Sequence, residues 1–161
     1  MKNAIFILGL LITMFLITSS CKDDLTNEAF QNGTATIQGI AYANLDLSND
    51  LTGVEWEYVP SGTHIYAIID SKDLVQNPSS NVSYGDIIYE AVVGENGSFT
   101  FTIEANIDSV PVEFESDEFT HNEIQVDQST ETEIYYLPDG YSESVRGGVI
   151  RYTEIYFEVE L

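Results

Sequence analysis

Period-two alternation runs through most of the chain beyond residue 33. Ser98 to Ala105 places Phe99, Phe101, Ile103 and Ala105 on one face. Ser98, Thr100, Thr102 and Glu104 fall on the other. Val110 to Glu115 sets Val110, Val112 and Phe114 against Pro111, Glu113 and Glu115. Thr153 to Leu161 sets Ile155, Phe157, Val159 and Leu161 against Glu154, Tyr156, Glu158 and Glu160. An extended chain turns successive side chains to opposite sides, so each segment predicts a strand with one dry and one wet face. Val54 to Val59 alternates in the same way, placing Val54, Trp56 and Tyr58 together until Pro60-Ser61-Gly62 ends the run.

Two segments, His64 to Asp70 and Asp86 to Val93, are apolar on both sides and predict inner strands whose outer side is also partly covered. Thr34 to Asn44 predicts the first strand, with Gly39 marking a bulge. Gly94-Glu95-Asn96-Gly97 predicts a hairpin between the strands on either side of it. Ile124 to Val126 and Glu131 to Leu137 predict a further pair. No helical stripe of useful length occurs. The expected fold is all-β: an antiparallel two-sheet Greek-key sandwich of roughly seven or eight strands over residues 34–161. Phe99, Phe101, Phe114, Ile155, Phe157 and Trp56 are its expected core anchors.

Residues 1–20 read differently. Met1-Lys2-Asn3 is a short positive start, Ala4 to Thr18 is uncharged and mostly apolar, and Thr18-Ser19-Ser20 are small. That is the pattern of a secretory signal peptide. Cys21, the one cysteine, follows directly and rules out an intramolecular disulfide framework. Residues 21–33 read as a polar tether.

Charge narrows the partners. Five Lys and Arg stand against 27 Asp and Glu, a net charge of −22. Nucleic-acid phosphates would be repelled by such a chain. Glutamates fill the outer rows of several strands, where they keep the protein soluble and discourage edge-to-edge pairing.

Two resemblances add to this reading. Ile17-Thr18-Ser19-Ser20-Cys21 resembles a loose lipobox, and Cys21-Lys22-Asp23-Asp24 resembles the lipoprotein export signal of the Bacteroidota. The resemblance implies lipidation (palmitate among the acyl chains) at Cys21, with Lys22, Asp23 and Asp24 directing the protein to the outer face of the outer membrane. Two or more acyl chains give stable anchoring where one is marginal. The second resemblance rests on Gly39, on Val59-Pro60-Ser61-Gly62-Thr63, on Gly94 to Phe99, and on the Val-rich strand leading to Phe114 and Phe119. These residues are similar to the prealbumin-like (transthyretin-like, carboxypeptidase-regulatory-like) β-sandwich of Bacteroidota surface lipoproteins. That family implies a structural or binding accessory without a catalytic site.

Candidate chemistry is sparse. Asp46, Ser48, Asp50 and Glu57 fall at positions 1, 3, 5 and 12 of a calcium loop. The pattern departs from the template at Leu51, where the turn needs Gly, and the flanks read as strands. No cofactor is expected, and calcium at these residues is the alternative. His64 and His121 read as surface histidines. Trp56, Tyr58, Tyr152 and Tyr156 are the ligand-binding candidates, since aromatic faces stack on sugars. Tyr152 and Tyr156, with Ile150, are expected to form an exposed strip. Asp108-Ser109-Val110 resembles the O-glycosylation motif of the Bacteroidota, which makes Ser109 a modification candidate. The expected function is a non-enzymatic, outer-membrane-anchored surface lipoprotein that binds or scaffolds, with a surface protein or a glycan as partner. The alternatives are a carbohydrate-binding accessory of a polysaccharide uptake system, or a fimbrial or adhesin component.

Overall fold

The computed structural model describes residues 33–160. The expected signal peptide, Cys21, Lys22, Asp23 and Asp24 lie outside the described residues. Ten strands account for most of the described chain: β1 (Gly33–Ala43), β2 (Glu57–Tyr58), β3 (His64–Asp70), β4 (Asp86–Val92), β5 (Ser98–Ala105), β6 (Val110–Ser116), β7 (Phe119–Ile124), β8 (Thr130–Tyr136), β9 (Ser142–Val145) and β10 (Ile150–Val159). A one-turn helix, α1 (Leu47–Asp50), and a 3-10 turn at Ser71–Leu74 complete the elements. The number exceeds the seven or eight expected. The Ser-Glu-Ser-Val of β9 holds one apolar residue, too few to register as a period. Conversely, the alternation over Val54 to Val59 yields only the two residues of β2.

These strands form two sheets of a sandwich. The larger has the order β2-β1-β10-β8-β7, with β5 also on β1. The smaller has the order β4-β3-β6-β9. One edge of β1 is shared, by β5 from Gly33 to Ile40 and by β2 at Tyr42 and Ala43. Its other edge carries β10 in parallel, from Thr36↔Ile150 to Ala43↔Phe157. The sandwich is therefore mixed, with the first and last strands parallel at its centre. Alternation reports which side of a strand is dry and is silent about strand direction.

Two further expectations change. The Gly94–Gly97 turn forms, with Gly94 N–H donating to Ser98 O at 2.8 Å and Gly97 at φ 68°. It is not a hairpin, because β4 pairs with β3 and β5 pairs with β1. The turn carries the chain from one sheet to the other. β4 is an edge strand, not an inner one, and leaves Ile88 and Val92 exposed.

The alternating rows otherwise pack as predicted. Phe99, Phe101, Ile103, Ala105, Val110, Val112, Phe114, Ile155 and Phe157 are all buried. Phe101 sits between Phe99 at 5.8 Å and Phe114 of the smaller sheet at 6.1 Å, ring centre to ring centre. Phe119 stacks on Tyr135 at 5.1 Å and lies 5.4 Å from Phe157. Trp56 is the exception. It is 39% exposed and does not join the core. Gly39 is not a bulge, since pairing runs through it to Phe99 on one side and Thr153 on the other. Its lack of a side chain makes room for the Phe99 ring. A β-carbon there would lie 2.1 Å from Phe99 Cζ.

One feature of the larger sheet shapes its surface. β8 pairs with β10 only at Glu158↔Tyr136 and Val159↔Tyr135. Continuing that register would bring Pro138 opposite Tyr156, and proline has no N–H to donate. The chain instead turns at Gly140 (φ 85°) and enters the smaller sheet as β9. Tyr141 then reaches back, its hydroxyl donating to Glu154 O at 2.6 Å.

Candidate functional site

The outer face of the larger sheet carries a row of aromatic rings. Side chains in register on neighbouring strands share a face, so Tyr58 of β2, Tyr42 of β1 and Tyr156 of β10 stand side by side. Tyr42 stacks on Tyr58 at 5.7 Å and 29°, and on Tyr156 at 5.5 Å and 20°. Trp56 closes the row, meeting Tyr156 edge-on at 5.0 Å and 71°. Adjacent strands are only about 4.8 Å apart, too close for rings to lie flat beside one another. The rings therefore stand up from the sheet and lean together.

Beside the row lies a depression of about 750 Å³, lined by Gln38, Ile40, Tyr152, Glu154, Tyr156 and Glu143 among others. Register explains it: Gln38 is paired with Tyr152, and Ile40 with Glu154. Tyr152 is 72% exposed and offers a ring with open faces. Tyr156 OH donates to Glu154 Oε2 at 2.8 Å. That bond to a carboxylate, with some desolvation behind it, pushes the Tyr156 hydroxyl up from its ordinary pKa. Desolvation, then the charge of Glu154, pushes Tyr42 up as well. Both hydroxyls stay protonated, and able to donate, through and beyond neutral pH. The depression thus combines π-faces, hydroxyl and amide donors and two carboxylates, Glu154 and the Arg151-bonded Glu143. That set suits a polyhydroxylated ligand, whose C–H groups carry partial positive charge toward a π-face and whose hydroxyls need both donors and acceptors.

The four sequence candidates Trp56, Tyr58, Tyr152 and Tyr156 come together on this one face. Tyr42, Gln38, Ile40 and Glu154 were missed. Tyr42 could have been found from the alternation of β1, which turns it away from the buried Ala41 and Ala43. Its neighbours could not, because the parallel pairing of β1 with β10 has no local signal.

Among the calcium candidates, Asp46, Ser48 and one carboxylate oxygen of Glu57 are engaged in local hydrogen bonds. Asp46 caps α1, accepting from Ser48 N–H at 2.9 Å, from the Ser48 hydroxyl, and from Asn49 Nδ2 at 2.9 Å. Glu57 accepts from Leu45 N–H at 2.8 Å. No group of three or more His, Cys, Asp or Glu positioned to hold a metal ion occurs among the described residues. His64, on β3 of the smaller sheet, contacts Glu90 across the strand pair, while His121 lies on β7 of the larger sheet. Ser109 lies between β5 and β6, in a depression of about 400 Å³ shared with Arg146 and Arg151.

Acidic crowding near α1 has a measurable consequence. Glu123 is only 6% exposed, stands directly opposite Glu131, and accepts from Gln125 Nε2 at 2.8 Å. Burial pushes its pKa up, and the charges of Glu133, Glu131 and Asp50 add to the rise. The same surroundings push up the buried Tyr135 hydroxyl, which donates to Asn44 O at 2.8 Å. A raised carboxyl pKa means that the folded state holds the proton more tightly than the unfolded state. That contribution is full below the ordinary value of 4.5 and is lost as pH rises through the folded value. Glu123→Gln should therefore stabilise the protein at pH 7 by about 1 kcal/mol, chiefly by removing a buried charge, with relief of the repulsion from Glu133 and Glu131 adding to it. Urea midpoints for the two proteins should converge in acid, below the ordinary carboxyl range. A gain that persists there would contradict this account.

Comparison with known proteins adds little. No family model and no curated protein matches the sequence. Among solved structures, the chain is similar to the major plantain pollen allergen Pla l 1. The identity is 13%, the TM-score is 0.36, and the match covers 80% of this chain and 97% of the allergen. At that score the likeness carries no argument about fold or function.

Proposed function

We propose that the protein is a non-enzymatic surface module that binds a glycan chain on the outer face of its larger sheet. In this reading a signal peptide is removed, Cys21 is lipidated, Lys22-Asp23-Asp24 sends the protein to the exterior face of the outer membrane, and the sandwich is a Greek-key member of the prealbumin-like family. The observation that carries the proposal is the aromatic row Tyr58–Tyr42–Tyr156–Trp56 beside the Tyr152 depression. A sugar ring would lie on an open face of Tyr152 or Trp56, with its hydroxyls bonded to Gln38, Glu154 and the tyrosine edges. A neutral glycan fits best, because an acidic one would meet Glu154, Glu143 and the charge of the whole chain.

The test is retention of the protein in native gels cast with neutral soluble polysaccharides, followed by calorimetry on any that retain it. Trp56→Ala and Tyr152→Ala should each weaken binding about tenfold, the scale of losing one aromatic contact. Neither ring belongs to the core, so far-UV circular dichroism should be unchanged, and melting should fall by no more than the loss of the Trp56–Tyr156 contact accounts for. Lack of retention by any glycan, or equal retention of both variants, would remove the proposal.

A further inference from the structure

We propose that the open edge of β10, from Ile150 to Tyr156, accepts an extended, positively charged segment of a partner protein as an added strand. Three observations carry it. First, this stretch pairs with β1 on one side and with no strand among the described residues on the other. Second, the direction of its main-chain groups is fixed. Thr36 N–H donates to Val149 O at 3.0 Å, so in a parallel ladder the odd-numbered residues of β10 turn their N–H and C=O groups toward β1. Tyr152, Glu154 and Tyr156 therefore turn theirs outward, as the bonds of Tyr141 OH to Glu154 O and of Glu160 N–H to Ile134 O show; the Glu154 carbonyl is held by Tyr141, so an added strand bonds the three N–H groups and the Tyr152 carbonyl or displaces that hydroxyl. The open run is roughly 23 Å long, enough for a short strand. Third, depressions flank it. The 750 Å³ one lies on the outer face, and the 400 Å³ one, lined by Ser144, Val149 and Arg151, lies toward β9. Strand addition uses main-chain bonds for affinity and pockets on either face for alternate side chains.

Charge decides the occupant. Glu143, Glu154 and Glu158 border the edge, and Arg151 offsets one of them through its bonds to Glu143 at 2.7 and 3.0 Å. A second copy of this chain would bring −22 against −22 and Glu154 beside its own counterpart. A segment with lysine or arginine at alternate positions meets Glu154, and its cation can also rest on the Tyr152 face. The other edges are less suited. β4 and β5 pack beside each other, Asp46 bridges β7 at Ile124, β2 has two residues and β9 only four.

The experiment follows amide hydrogen exchange at Tyr152, Glu154 and Tyr156 in the full chain. The probe is a short synthetic peptide alternating lysine and valine. Its controls are the glutamate–valine counterpart and the lysine peptide N-methylated at every residue, which leaves neither of its edges an N–H to donate. The lysine peptide should slow exchange at these three amides at least about tenfold, and neither control should. Equal slowing by the methylated peptide would show charge attraction without strand pairing and would overturn the proposal. So would slowing by none of the peptides. Protection in the chain alone would also overturn it: concentration-dependent protection would mean a second copy occupies the edge, and concentration-independent protection would mean the chain covers the edge itself.

Discussion

Phe101→Ala should cost about 3–5 kcal/mol in urea unfolding, the range for emptying a large aromatic site from a core. Phe101 is 2% exposed and bridges the layers, touching Phe99 on its own strand and Phe114 on the smaller sheet. Its removal leaves a void that neither neighbour fills without breaking its own packing, because β5 is held along β1 over eight register positions. Phe101→Leu keeps most of the volume and should lose markedly less. The midpoint should fall with the denaturant slope nearly unchanged. A loss below about 1 kcal/mol for the alanine variant would mean that the two sheets do not depend on this ring.

Gly39→Ala is the second large effect, and it acts by adding atoms. The new methyl would meet three atoms of the Phe99 ring at 2.1, 2.6 and 2.8 Å. Backbone conformation is not the obstacle, since Gly39 is not among the glycines with positive φ. Phe99 is buried and backed by Phe101, so the ring cannot retreat freely. Overpacking of this kind costs about 1–3 kcal/mol. Shortening the opposing side chain should relieve it. The double variant Gly39→Ala/Phe99→Leu should be more stable than the sum of the two single losses predicts, because the residues share one space. Simple additivity in that cycle would show that the strain lies elsewhere. Gln38 and Ile40 flank this glycine and line the candidate site, so strain here would also disturb the ligand-facing surface.

Much of the dry interior was legible because it depends on side-chain alternation alone. β5 and β6 needed no more than their own residues to assign Phe99, Phe101, Ile103, Val110, Val112 and Phe114 to the core. Tyr152 and Tyr156 were legible for the same reason, as aromatics opposite the core row of the last strand, while Trp56 and Tyr58 were singled out as aromatics without a face assigned by the alternation. Trp56 was assigned to the core as well, and it lies on the outer face instead. Alternation groups Val54, Trp56 and Tyr58, but it cannot say whether their shared side meets the other sheet or solvent.

Pairing was beyond reach. The Gly94–Gly97 turn looks the same whether it joins partners in one sheet or crosses between two. Only the complete fold shows that β4 lies on β3 and β5 on β1. The open edge of β10 has a legible cause in Pro138, yet Pro138 gains that meaning only once β8 and β10 are in register.

The sequence by itself determined the strand-rich character of the chain, the inward rows and the acidity of its outer rows, since each follows from local alternation and composition. Tertiary structure alone decided that β1 and β10 run parallel, and so set Tyr42 between Tyr58 and Tyr156 and Gln38 beside Tyr152. Those neighbours lie more than a hundred residues apart along the chain on the β10 side. Hydrogen bonds between main-chain groups, which are the same for every residue except proline, make such contacts without leaving a trace in side-chain pattern.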